Sequence, residues 1–395
     1  MKRAVVFGAG NIGRGFLGQL LFESGYETIF VEALLEIVSL LNARKVYPLW
    51  VVSDEKTEKF EISRVQAVSA RDSSAVTRKL AEADLSATAV GIRNLPKVAR
   101  MLAMGIAERA RMNTPSPLNI VICENLLSAG KELNAEIKKN LSPEFYPYLE
   151  GKVGLVETVV SRMVPPVPPE LKKEEPLLVL VEPYKILPVA KSGFKGEIPK
   201  IIGFLPVENI QAYEELKIYI HNLIHAACAY IGYLNGCKYI WEAVGKPEIR
   251  LVLDGLMTET GTALIKKHLF SEKEIQEYSE DLLHRFSNKA LGDTVFRVGR
   301  EPLRKLSPQD RLVGAARLCL NFGIEPTNII FTIAAALCYN YQEDNEAVIL
   351  AKMISEKGPG YVLQEVCRIK PEEPIYNAIL KDYDRLKTKR RGSIY

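Results

Sequence analysis

Histidine is scarce in this 395-residue chain, with four in all, and the six cysteines (Cys123, Cys228, Cys237, Cys319, Cys338, Cys367) form no C-x-x-C and no ligand-like pairing with the histidines. That argues against a disulfide framework or a structural zinc site and fits a reducing cytoplasm. No run of about 18 uncharged apolar residues is present, so no membrane-spanning helix is expected. The opening MKRAVVFGAGNIGRG has two basic residues but only the short apolar run Ala4–Phe7 before its first glycine, too little for a secretory signal core. Charge of one sign is missing as well. With 52 Lys+Arg against 48 Asp+Glu, the net charge of +4 gives no reason to expect nucleic acid or an anionic membrane as partner. What remains, 47% hydrophobic and 25% charged residues, describes an ordinary globular protein. Its length suggests two or three domains at roughly 100–200 residues each.

The first 35 residues read as strand, turn, helix, strand. Ala4–Phe7 is a short apolar run, Gly8–Gly13 a glycine-rich turn, and Ile12, Phe16, Leu17, Leu20 and Leu21 recur at helical spacing. Gly25 closes the helix, and Thr28–Val31 forms a second strand. Strand-like runs at Leu85–Val90, Leu118–Cys123 and Val153–Val156, separated by helix-length segments, extend the parallel sheet; Leu177–Val181 looks like one more strand. From about Asn209 the texture changes to long helical periodicity: Gln211–Tyr233, Lys246–His268, Ser271–Arg285, Ser307–Asn321 and Thr327–Tyr341. The expectation is an α/β chain, a Rossmann-type doubly wound domain over 1–195 followed by a mainly α-helical domain over 196–395. Lys387–Tyr395 reads as a frayed basic tail.

Gly8-Ala9-Gly10-Asn11-Ile12-Gly13 matches G-x-G-x-x-G and lies directly after a strand and at the opening of a helix. In that context the first glycine allows the tight turn, the second lets the backbone approach a pyrophosphate, and the third permits close helix–strand packing. Glu32, at the end of the second strand, is near the spacing at which an acid accepts hydrogen bonds from the adenine ribose. A carboxylate there repels a 2′-phosphate, which favours NAD (NADH) over NADP.

Lys217, His221, Asn222 and His225 stand in an otherwise apolar helix. At about 100° per residue with Lys217 at zero, His221 falls near 40°, His225 near 80° and Asn222 near 140°, all within half the circumference. Three readings are open: a two-histidine metal face, which lacks a third ligand; a solvent-facing stripe; and a catalytic set in which Lys217 takes the proton of a substrate hydroxyl while hydride leaves to nicotinamide.

Lys217-x4-Asn222-x2-His225 resembles the K-x4-N-x2-H signature of the polyol-specific long-chain dehydrogenase/reductase (mannitol dehydrogenase) family. The resemblance extends along nearly the whole chain through FGAGNIGRGF (Phe7–Phe16), LNAR (Leu41–Arg44), TAVG (Thr88–Gly91), SPLNI and CEN (Ser116–Ile120, Cys123–Asn125), FKG (Phe194–Gly196) and RVGREPLRKLSPQDRL (Arg297–Leu312). It implies NAD-dependent, metal-independent interconversion of D-mannitol 1-phosphate and D-fructose 6-phosphate. Lys217 would be general base in oxidation, made neutral by burial and a nearby imidazole, with Asn222 and Asn125 donating to the reacting oxygen and His225 orienting substrate or lysine. It assigns cofactor binding to Gly8, Ala9, Gly10, Asn11, Ile12, Gly13, Arg14, Glu32, Thr88 and Val90, and leaves His221 as a neighbour.

Arg297, Arg300, Arg304 and Lys305 are the candidate phosphate site, since arginine forks match phosphate oxygens bidentately. The competing view is a solvated basic helix end, with Asp293, Glu301 and Asp310 near enough in sequence to neutralise it. Two features depart from the family. Ser161 in Val160-Ser161-Arg162-Met163-Val164-Pro165-Pro166 stands where relatives commonly have Asp, and Leu223 and Ile224 are bulkier than the usual residues between the signature Asn and His. These bear on turnover or polyol preference more than on reaction type. The alternatives are the same chemistry on an unphosphorylated polyol or sugar acid, or a non-catalytic NAD-binding protein. A small-molecule sugar or polyol phosphate is the expected partner of a cytoplasmic monomer or homodimer.

Overall fold

The computed structural model describes residues 1–126 and 128–392, with side chains to residue 388. It divides into two compact units, Met1–Tyr213 and Glu214–Tyr395. Eleven strands among the described residues, numbered in chain order, all belong to the first unit.

Its main sheet holds β1 (Arg3–Phe7), β2 (Glu27–Glu32), β5 (Val65–Ser69), β6 (Leu85–Thr88), β7 (Leu118–Ile122) and β8 (Val153–Glu157) in the order β5-β2-β1-β6-β7-β8. Every pairing is parallel, with Val5 opposite Ile29 on one side and Ser86 on the other. This is the Rossmann-type doubly wound order expected from the alternation of strands and helices. Successive residues of β1 serve opposite faces. Ala4 and Val6 enter one core with Phe16, Leu20 and Phe30, whereas Val5 and Phe7 enter the other with Leu80, Leu102 and Ile120. Because both faces are covered, the strand reads as a continuous apolar run instead of an alternating one.

The strands that sequence periodicity leaves out have local reasons for being quiet. In the sheet β4-β3-β9, β3 (Val46–Val52) carries Pro48, and β4 (Thr57–Ser63, TEKFEIS) is charged and mostly exposed. β9 (Val179–Val181) pairs parallel with β3. β10 (Leu187–Ala190) pairs parallel with β11 (Phe204–Val207). That pairing draws 204–207 into the first unit, so the contact division falls at Tyr213/Glu214, inside the helix Ile210–Leu216, beyond the 195/196 boundary read from sequence texture.

The helix that opens after the glycine turn contains a π turn over Gly13–Leu17, where the Gly18 N–H donates to the Gly13 carbonyl. Side chains from elsewhere reach this turn. Tyr47 Oη donates to the Arg14 carbonyl at 2.7 Å, and Arg162 Nη1 donates to the Gly15 carbonyl at 3.0 Å. Arg162 is 4% exposed, and its remaining donors meet the Glu182 carbonyl and Gln19 Oε1.

In the second unit the helix Asn222–Leu234 is central. It packs against Ile240–Gly245, Pro247–His268, Val295–Gly299 and Thr327–Leu337. Leu223, Ile224 and every residue from Ala226 to Gly232 are buried, so this is a helix enclosed nearly all round. The basic tail continues the helix Pro374–Gly392, and 393–395 lie outside the described residues.

Tyr47 is fully buried, so Tyr47→Phe removes the donor to the Arg14 carbonyl without opening a large cavity. A loss of about 1–3 kcal/mol in urea-unfolding free energy is expected. Unchanged stability would show that the π turn does not need this bond.

Candidate active site

The glycine turn joins β1 to the first helix. Gly8 has φ of +94°, and a Cβ there would lie 2.5 Å from the Ala89 carbonyl oxygen; a Cβ on Gly13 would lie 1.9 Å from the Gly8 carbonyl oxygen. Neither position accepts a side chain without backbone movement. A Cβ on Gly10 meets nothing within 4 Å, so open space lies where the fingerprint requires a phosphate to approach backbone. These residues fit a dinucleotide.

Glu32 is the last residue of β2. Its Oε2 accepts from Ala9 N–H at 2.8 Å, and its Oε1 accepts from Ala33 and Leu34 N–H at 2.7 and 3.0 Å. The carboxylate therefore ties the glycine turn to the end of β2, with three of its roughly four acceptor positions in use. Asn11 is exposed and Ile12 half-buried. Arg14, included in the cofactor set by resemblance, is 8% exposed; its guanidinium donates to the Ala9 and Leu177 carbonyls, beneath the turn. Thr88 ends β6 fully buried. Val90 and Gly91 N–H both donate to Glu124, at 2.9 and 2.8 Å. Glu124 is buried; burial raises its carboxyl above the ordinary value, with the two backbone bonds opposing. This clamp escapes a reading by motif, although the acid beside the end of β7 is its signal. Asn125 follows, exposed at the carboxyl edge of the sheet.

In the second unit, Lys217–His221 form a π turn, and Asn222 N–H donates to the Lys217 carbonyl. An i→i+5 bond places residue i+5 over residue i, where an α-helix would place i+4. The turn thus corrects the helical wheel: Asn222, near 140° from Lys217 at the α-helical angle, is brought over it. Lys217, Asn222 and His225 are half-buried, and His221 is 5% exposed. A solvent-facing stripe is not what the helix presents.

Phe286 organises both imidazoles. It stacks on His225 with centroids 4.5 Å apart at 20°, and meets His221 edge-on at 5.3 Å. The His225 Nε2 is 2.8 Å from Asp293 Oδ2, and Arg297 holds Asp293 Oδ1 at 2.7 Å. Burial pushes the Asp293 carboxyl up, but the bond from His225 and the ion pair with Arg297 outweigh it and bring it to about 2. Burial pushes His225 below its ordinary value despite Asp293. His221 lies well below, through burial first and then the charges of Arg285, His225 and Lys217. Among the described residues, no group of three or more His, Cys, Asp or Glu is placed to hold a metal ion.

The basic segment is largely paired. Arg297 is held by Asp293, and Arg304 donates to Glu301 at 2.8 Å and to Asp310 at 3.0 Å. Lys305 is 5% exposed and donates to the Arg300 carbonyl; burial, reinforced by Arg311 and Arg304, pushes its ammonium down to about 7. Arg300 is exposed, and its side chain makes no ion pair among the described residues.

Residues 2–203 match the mannitol dehydrogenase Rossmann domain, and 209–387 match the mannitol dehydrogenase C-terminal domain. The chain belongs to the mannitol dehydrogenase family. Within this family it is 39% identical over 385 residues to mannitol-1-phosphate 5-dehydrogenase of Clostridium acetobutylicum, covering 98% of this chain and 99% of that one. It is 40% identical over 380 residues to the enzyme of the same name from Bacillus subtilis, covering 96% and 98%. The fold is also that of Pseudomonas fluorescens mannitol 2-dehydrogenase, solved as a ternary complex with NAD and D-mannitol. The two share 17% identity and a TM-score of 0.73 over 99% of this chain and 92% of that one. No helix among the described residues is long and apolar enough to cross a membrane.

An unfolded histidine titrates near 6.5, and folded His221 below it. Between those values the unfolded chain holds the extra proton, so the stability from neutral His221 is complete above about 6.5 and is lost as pH falls through the window. His221→Leu is expected to flatten the decline in urea midpoint between about pH 7 and pH 5. An equally steep decline in the variant would assign the effect elsewhere.

Proposed function

We propose that this family member interconverts D-mannitol 1-phosphate and D-fructose 6-phosphate with NAD(H). The observation that carries the reading is likeness at 39–40% identity over 96–98% of the chain to two enzymes named mannitol-1-phosphate 5-dehydrogenase. Residues 1–195 hold the dinucleotide: Gly8 to Gly13 receive the pyrophosphate, and Glu32 the adenine ribose. Bound NAD supplies the hydride acceptor for oxidation, and NADH the donor for reduction. The proposed catalytic groups are Asn125, within residues 1–195, and Lys217, Asn222 and His225, within residues 196–395.

In oxidation Lys217 takes the proton from the substrate hydroxyl at Nζ and returns it to the new hydroxyl in reduction. The Asn222 side-chain amide donates to the reacting oxygen as it gains negative charge, and Asn125 is the candidate for the second amide of that kind. The π turn supports the pairing of roles, because it aligns Asn222 with Lys217. His225 orients the substrate through a hydrogen bond. Arg300 is the guanidinium left to engage the phosphate, since Arg297 and Arg304 are committed to carboxylates. The enzyme works in the cytoplasm as a monomer or homodimer on a small-molecule substrate.

The test is NADH oxidation with fructose 6-phosphate beside fructose, tagaturonate and fructuronate, repeated with NADPH. Fructose 6-phosphate with NADH is expected to lead. Lys217→Ala should lose about 10²–10⁴-fold in kcat, and Arg300→Ala should raise KM for the phosphorylated substrate about 10-fold or more. Faster turnover of an unphosphorylated substrate would move the reading to that class, and tight NADH binding with no ketose reduction would favour a non-catalytic role.

A further inference from the structure

We propose that Asp293 is a positioning residue for His225: its carboxylate holds the imidazole as the Nε2–H tautomer and leaves Nδ1 as the ring's hydrogen-bond acceptor. The inference rests on the catalytic reading above only for its effect on turnover. Asp293 stands 68 positions beyond His225 in sequence, yet its Oδ2 lies 2.8 Å from Nε2, with both side chains largely buried at 9% and 13% exposure.

The geometry is fixed from several sides. Arg297 Nε and Nη2 both reach Oδ1 at 2.7 Å, so the carboxylate cannot rotate away from the ring. Phe286 fixes the plane of the imidazole by stacking. The backbone around Asp293 is pinned too. Its carbonyl accepts from Ile240 N–H at 2.9 Å, Tyr239 and Thr294 form a β-bridge, and Thr294 caps Arg297 N–H at 3.1 Å.

An ionised carboxylate only accepts hydrogen bonds, so the proton of this bond belongs to Nε2. Burial disfavours a second proton on the ring, so Nδ1 carries a lone pair. That lone pair matters for a substrate built of hydroxyls, because it accepts an O–H where the opposite tautomer would present an N–H. An orienting carboxylate acting through a histidine in this way changes turnover without touching substrate, and its amide replacement admits the wrong tautomer.

With only four histidines in the chain, long-range ¹H–¹⁵N spectra of ¹⁵N-histidine-labelled protein are assignable by a His225→Asn control. In the wild type without substrate, His225 is expected to be neutral and protonated at Nε2. In Asp293→Asn the Nδ1–H tautomer is expected to appear, and kcat with fructose 6-phosphate to fall about 10- to 1,000-fold while KM for NADH stays within about twofold. A wild-type His225 protonated at Nδ1 or at both nitrogens overturns the proposal, as does a folded Asp293→Asn protein with full kcat. Should that variant not fold, the wild-type spectrum alone decides. Full turnover by Lys217→Ala overturns the catalytic reading instead, and is told apart because the tautomer is read without substrate.

Discussion

Among the described residues, two helices each contain one turn that is a residue too wide for the α-helical ladder, one opening after the glycine-rich turn and one spanning Lys217–His221. A widened turn must be held by its surroundings, because the chain alone has a better-bonded alternative in the regular α-helix. Over Gly13–Leu17 the holding groups are Tyr47 and Arg162, which bring donors from distant segments to backbone carbonyls of the turn, while Arg14, within it, reaches the Ala9 and Leu177 carbonyls. Over Lys217–His221 the turn is embedded in a unit whose central helix is enclosed by four others. Each widened turn therefore takes its shape from contacts made far along the chain.

Charge pairing supplies a second level of organisation. Asp293 joins His225 to Arg297, and Asp310 lies beside both Arg304 and Arg311. A segment that looks strongly basic in one dimension is, in three, a set of carboxylate–guanidinium pairs with Arg300 left over. Buried Lys305 fits the same logic: neighbouring guanidiniums and burial disfavour its ammonium, and its nitrogen is taken by a backbone carbonyl. Pairing of this kind sets the direction of each guanidinium, which matters more for recognising a planar or tetrahedral anion than the total charge does.

Glu32 and Glu124 show the same economy on the cofactor side. Each carboxylate accepts from backbone N–H groups of a strand-end loop and so shapes the edge of the sheet at which a dinucleotide binds. Glu32 stands out in the sequence by its spacing after the glycines, but its bonds to the Ala9, Ala33 and Leu34 N–H groups do not. Glu124 does not stand out, because its role depends on the β6 loop lying next to β7, a fact of strand order.

The sequence by itself determined the doubly wound sheet, the glycine turn and the helical character of the second half, because these depend on local periodicity and on short motifs, and it singled out Lys217, Asn222 and His225 as candidates. It missed β3 and β4, where a proline and exposed charged residues mask the strands, and also the short β5, β10 and β11, all of which pairing with neighbours stabilises. The helical wheel misplaced Asn222 because the wheel assumes a constant angle per residue, and a π turn needs tertiary support to exist. Only the tertiary structure decided that Asp293 belongs to His225, that Arg14 lies beneath the glycine turn, and that Arg297 and Arg304 are committed to carboxylates. Each of these depends on which distant side chains meet, and that is set by packing.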